Sequence, residues 1–156
     1  LIRPMNIFIL HQNPKRAAVD LCDQHIVKMI LESAQMLCSA FPNNTAPYKR
    51  AYYNHPCTVW TRTSKQNYKW LLDHADELCA EYTRRYSKRH KSQKVINWCR
   101  YHLHKITFPK YNQTPFAQAM PDDYKNNCAV TAYRNYYKNE KLHFAKWKNN
   151  TQPLWL

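Results

Sequence analysis

The sequence predicts an all-α protein, a compact single-domain helical bundle of about four helices joined by long proline-containing loops. Three observations carry this expectation. The 156 residues include no glycine, which removes the tight hairpin turns that antiparallel sheets rely on and costs a helical protein least. Apolar residues recur at helical spacing in four windows of the chain. Apart from Pro14, the prolines of the interior cluster between those windows, at 42–56 and 107–121, where they end helices instead of kinking them. With 44% of residues apolar, the chain can build a core, and global disorder is not expected.

The elements follow in order. Residues 5–10 are a short apolar stretch, expected to be buried and extended. Residues 1–4 precede Met5 and read as an expression remnant. Asn13-Pro14 marks a helix start, with Asn as N-cap and Pro at the first helical position. From there the helical pattern runs over residues 15–40. A second helix is expected to begin between Thr58 and Ser64. Its apolar stripe is Tyr68, Leu71, Leu72, Ala75, Leu78, Cys79 and Tyr82, with Asp73, Asp76, Glu77 and Glu81 toward water. A third covers residues 92–105, and a last one residues 122–148 with Tyr133, Tyr136, Tyr137 and Phe144 on its apolar side. The tail 151–156 is expected to dock on the body.

Charge narrows the function. Lys plus Arg number 24 against 10 Asp plus Glu, a net charge of +14. Such an excess points to a polyanionic partner, nucleic acid ahead of an anionic membrane surface. Residues 82–121 carry nine Lys or Arg and no acid. The absence of glycine excludes a phosphate-cradling Gly loop. No apolar run is long enough to span a membrane. Six cysteines with no C-x-x-C spacing read as reduced core residues of an intracellular protein. Three Asn-x-Thr triplets match the glycosylation pattern, which carries no meaning in an intracellular, Asn-rich chain.

One helix holds the candidate chemistry. His25, Lys28, Glu32 and Gln35 share a polar stripe, beside an apolar stripe of Cys22, Ile26, Met29, Ile30, Met36 and Leu37. A carboxylate on the shoulder of a core helix, near a cation and an imidazole, is an acid–base candidate. The plain alternative is an ordinary i,i+4 surface pair of Lys28 with Glu32. Arg84, Arg85, Lys88, Arg89, Lys91 and Lys94 are candidate phosphate contacts. The aromatics interleaved with them, such as Trp98 and Tyr101, either stack on bases or belong to the core. Cys99, His102 and His104 lie close in sequence but lack the second ligand cluster of a zinc site, so no metal is assigned. A metal-dependent nuclease built on those histidines is a third reading of the chain.

These residues resemble a known family. Asp23-Gln24-His25, with a glutamate seven residues after the His, is similar to the first-helix signature of the pyrimidine-dimer DNA glycosylases of the phage endonuclease V type. Asn54-His55-Pro56 resembles a motif of bacterial relatives, and the opening from Met5 to His11 resembles their apolar, His-bearing start. Tyr133-Arg134-Asn135-Tyr136-Tyr137-Lys138 is similar to the aromatic-basic tail with which the family grips DNA. The resemblance implies a helical DNA repair glycosylase with abasic-site lyase activity. A free N-terminal amine would attack the sugar C1′, base release would leave an imine, and β-elimination would cut the strand. By position, Glu32 takes the catalytic glutamate's role and Met5 supplies the amine, with Lys28 as the substitute amine and His25 beside the site. Gln24, Gln35, His55, Arg134 and Lys138 would join the DNA contacts. The implied partner is double-stranded DNA, with no metal, no small-molecule cofactor and no membrane, and the expected state is a monomer. This chain departs from the family at Leu31 and Gln35, where phage members carry arginine. The rival reading is a non-catalytic, basic nucleic-acid-binding protein of the same fold.

Overall fold

Among the described residues, four periodic windows fold into six α-helices, because two of the windows are interrupted. The computed structural model describes residues 5–149 and 152–156. The expected remnant at 1–4 lies outside the described residues. The helices are α1 (Pro14–Val19), α2 (Asp23–Cys38), α3 (Pro56–Thr63), α4 (Lys65–Tyr86), α5 (Gln93–Tyr101) and α6 (Ala129–Glu140). Single 3-10 turns stand at Leu103–Lys105 and Asp122–Tyr124. There is no strand among the described residues, so the all-α expectation holds.

Asn13 caps α1 as its position predicts: its side-chain oxygen accepts the N–H groups of Lys15 and Arg16 at 2.9 and 3.1 Å. The helix then stops at Val19, where the pattern predicted continuation. The freed backbone groups find distant partners. Arg85 donates to the carbonyls of Val19 and Leu21, Trp147 to that of Asp20, and the Cys22 N–H reaches the Tyr137 hydroxyl. A break is tolerable only when such groups are satisfied, and none of these partners is local. The second window breaks at Ser64, whose extended backbone bridges to Lys110 and whose hydroxyl caps α4 through Asn67 N–H at 3.0 Å.

The last helix is shorter than predicted. Lys125 and Cys128 have extended backbone, and Asn126 and Gln118 are hydrogen-bonded to each other in both directions. After Glu140 the chain turns back toward the start of α2, where Asp23 N–H donates to Lys146 O at 2.7 Å. At the C-terminus, Trp155 donates to the Asp20 carboxylate at 3.0 Å.

The core forms between α4, which touches α1, α2, α3 and α5, and the inner face of α2. Ile26, Met29, Ile30, Ala34, Met36 and Leu37 supply that face. The opening stretch from Met5 to Leu10 is buried in the same core; at its end the Leu10 N–H turns back onto Phe8 O at 3.0 Å. All six cysteines are free thiols and five are buried.

Candidate active site and nucleic-acid interface

The predicted polar stripe of α2 is split by burial. Lys28 is exposed and Gln35 half-buried, whereas His25 and Glu32 lie inside. Glu32 is only 4% exposed, on a helix that packs against α3, α4 and α5. Its Oε1 accepts the backbone N–H of Asn6 at 2.9 Å. Burial pushes the Glu32 carboxyl up to about 7, and neither the Lys28 charge nor the Asn6 hydrogen bond cancels that effect. A carboxyl that titrates near neutrality can both take and give a proton at physiological pH.

Asn6 connects this carboxyl to a cleft. Its side-chain amide donates to Ala119 O at 3.0 Å. Ala119 lines a cleft of about 450 Å³ with His55, Met120, Lys125 and Tyr136. Two hydrogen bonds therefore separate Glu32 from the cleft wall. His55 caps α3 by accepting Cys57 N–H at 3.1 Å, which aims the α3 start at the cleft. Gln35 lines a separate shallow groove with Leu31, Tyr48 and Arg50.

Sequence reasoning placed the amine at Met5. The nitrogen that touches Glu32 belongs to the next residue, Asn6, and Met5 is fully buried. His25 also needs correction. Its ring stacks on Phe8 at 4.3 Å, and its Nδ1 lies 2.6 Å from the Tyr137 hydroxyl. Burial, reinforced by the charges of Lys141 and Lys28, lowers its pKa to about 3. His25 is a neutral core residue, two helical turns away from Glu32.

The basic run divides in the same way. Arg85 is 1% exposed. It donates to Glu81, to Asp23 and to the carbonyls of Val19 and Leu21. Arg84 is shared between the Glu81 carboxylate and Asn149 O. Burial works against the charge of Glu81, but the hydrogen bonds from Arg84 and Arg85 hold its carboxyl below the usual range. Lys88, Arg89, Lys91 and Lys94 are exposed. The loop that carries Lys88, Arg89 and Lys91 is tied to α2 through His90, whose Nε2 lies 3.1 Å from Val27 O.

The C-terminal segment meets the same face. Lys148 N–H donates to Asp23 at 2.9 Å, and the Lys148 ammonium lies 5.3 Å from the centre of the Tyr86 ring. Lys28, Gln24, Lys146 and Lys148 are exposed beside the loop that carries Lys88. The expected helix over 122–148 gives no signal for this placement, although residues 141–148 hold three lysines and no acid. In the aromatic-basic segment, Tyr133, Tyr136 and Tyr137 belong to the core. Arg134 is half-buried; it donates to Leu10 O at 2.9 Å and covers the Trp155 ring. Lys138 is exposed. No group of three His, Cys, Asp or Glu among the described residues is placed to hold a metal ion. His102 instead stacks on Trp98 at 4.0 Å.

A helical, strongly basic protein with an acid poised near neutrality behind a cleft has the build of an enzyme that works on a polyanion. The family model described as pyrimidine dimer DNA glycosylase matches residues 5–94, and the chain belongs to that family. The matched segment contains Asn6, Glu32, His55 and the basic loop. It makes the protein a DNA repair glycosylase in general class, with DNA as its substrate. No curated protein and no solved structure matches the chain. No helix among the described residues is long and apolar enough to cross a membrane.

Proposed function

We propose that the protein removes a damaged pyrimidine, a photodimer or another lesion, from double-stranded DNA and then cuts the abasic strand through an imine. The observation that carries this reading is the contact between Asn6 N and Glu32 Oε1 at 2.9 Å. If the chain is cut before Asn6, that nitrogen becomes a primary α-amine beside the carboxyl. An α-amine has a pKa of about 7.7–8.0, so near neutrality a useful fraction is unprotonated. Cutting there also vacates the volume of the buried Met5 side chain, next to the residue that bridges Glu32 to the cleft.

In the proposed sequence the Asn6 amine attacks C1′, and the C1′–N bond to the base breaks with its electrons leaving on the base. Ionised Glu32 stabilises the positive charge that develops on the sugar. The proton of the attacking amine passes to Glu32, which delivers it to the ring oxygen as the C1′–O4′ bond breaks and the imine forms. The carboxylate so restored, or water, takes the C2′ proton as the 3′ phosphate leaves. Water hydrolyses the imine and returns the amine. Gln24, Lys28, Gln35 and His55 would contact the strand near the lesion, and Lys88, Arg89, Lys91, Lys94, Lys138, Lys146 and Lys148 would hold phosphates. Arg84, half committed to Glu81, would contribute less.

Incubating the chain that begins at Asn6 with dimer-containing and abasic duplexes tests the reading. Strand cleavage by the wild type, lost in Glu32→Gln, is the expected result. Binding without cleavage of either duplex would leave only the non-catalytic binder.

A further inference from the structure

We infer that Tyr133 is a positioning residue: acting through the Asn6 side chain, its hydroxyl fixes the Asn6 main-chain nitrogen against Glu32. This rests on the reaction proposed above and extends its machinery beyond the family-matched segment, to α6 and the cleft wall.

Tyr133 is wholly buried. Its hydroxyl accepts the Ala119 N–H at 3.0 Å. Its single proton lies between Asn6 Oδ1 at 2.8 Å and Ala117 O at 3.1 Å. Asn6 Oδ1 also accepts its neighbour's N–H, from Ile7, at 2.8 Å, and the Cys57 thiol approaches it at 3.9 Å. The Asn6 amide nitrogen donates to Ala119 O at 3.0 Å. Both ends of the Asn6 side chain are thus held, by groups from α3, α6 and the 117–119 segment. A side chain held at both ends fixes its own Cα and Cβ, and with them the direction in which the nitrogen on that Cα points.

Packing alone does not require this polarity. The Tyr133 ring already meets Phe8 edge-on at 5.9 Å, a contact phenylalanine would keep. A buried hydroxyl and a buried carboxamide are costly unless fully paired. These two are paired, and they are paired next to Glu32. The same hydroxyl holds Ala119, so the reacting nitrogen and the wall of the cleft share one anchor.

Tyr133→Phe removes the hydroxyl and leaves the ring. In the form of the chain that traps the imine, single-turnover imine formation is expected to fall roughly tenfold to a hundredfold, the scale of a small misplacement of a reacting atom. Duplex affinity should stay at the wild-type value, because the exposed cations are untouched. The acid limb of the pH–rate profile should move upward, since the Asn6 hydrogen bond holds Glu32 down. A merely structural role would lower affinity and melting temperature together without moving that limb. If Tyr133→Phe does not fold, Asn6→Ala carries the test and should lose rate in the same way. A variant that folds and keeps the wild-type rate and pH profile overturns the inference and leaves the glycosylase reading intact. A wild type that forms no imine with either duplex overturns both.

Discussion

Asn6 and Glu32 are 26 residues apart in sequence and 2.9 Å apart in space. The contact joins the buried opening stretch to the central helix α2. It sets a backbone nitrogen beside an acid that burial holds near neutrality. The chemistry expected of this protein depends on that juxtaposition.

Glu32→Gln keeps the shape of the side chain and removes its proton chemistry. Base release is expected to fall by about two orders of magnitude or more, the usual scale for losing a general acid–base group. Duplex affinity is expected to hold, because the cationic face does not include Glu32. Gel-based cleavage and fluorescence anisotropy read the two quantities separately.

Stability should carry the same group's signature. The folded pKa of Glu32 is raised from 4.5 to about 7, so the proton favours the fold. That contribution is fully present below the unfolded value and is lost as pH rises through the folded one. Glu32→Gln has no proton to lose. Its melting temperature relative to wild type should climb between pH 5 and pH 8. His25 works in the opposite direction, with a folded pKa lowered from 6.5 to about 3; the stability it contributes is present above 6.5 and lost as pH falls toward 3. The variant-minus-wild-type difference isolates Glu32, and a flat difference would contradict its burial.

Arg85 is a structural cation. Replacing it with Met breaks its buried ion pairs with Glu81 and Asp23 and removes the donor to the Val19 and Leu21 carbonyls at the α1–α2 break. Breaking a buried pair in this way costs about 3–5 kcal/mol. Thermal melts of Arg85→Met should show a large loss. Arg89→Ala, on the exposed loop, should melt within about 0.5 kcal/mol of wild type.

The exposed cations make the complementary prediction. Lys88→Ala, Arg89→Ala and Lys148→Ala should each weaken duplex binding across all sequences. Each should reduce the slope of log affinity against log salt by about one. Arg134→Ala should leave that slope unchanged, because its guanidinium is engaged with Leu10 O and Trp155.

Local chemistry was legible in the sequence. The absence of glycine and the apolar spacing gave the all-α class. Asn13-Pro14 gave the start of α1. Glu32 stood out from its spacing to His25. Features set by long-range partners were not legible. The break at 20–22 exists because Arg85, Trp147 and Tyr137 satisfy its backbone. Arg85 looked like part of an exposed run until its side chain was seen to turn inward beneath α1. The polar stripe of α2 misled at His25, which is stacked against Phe8 and bonded to Tyr137, and both partners come from other segments.

The most direct test of the central claim is the identity of the trapped nitrogen. An abasic duplex is incubated with the chain that begins at Asn6, the imine is reduced with borohydride, and the adducted peptide is sequenced by mass spectrometry. The account predicts a sugar remnant on the α-amine of Asn6, absent in Glu32→Gln. A remnant on a lysine side chain, Lys28 included, or no adduct at all, would contradict it.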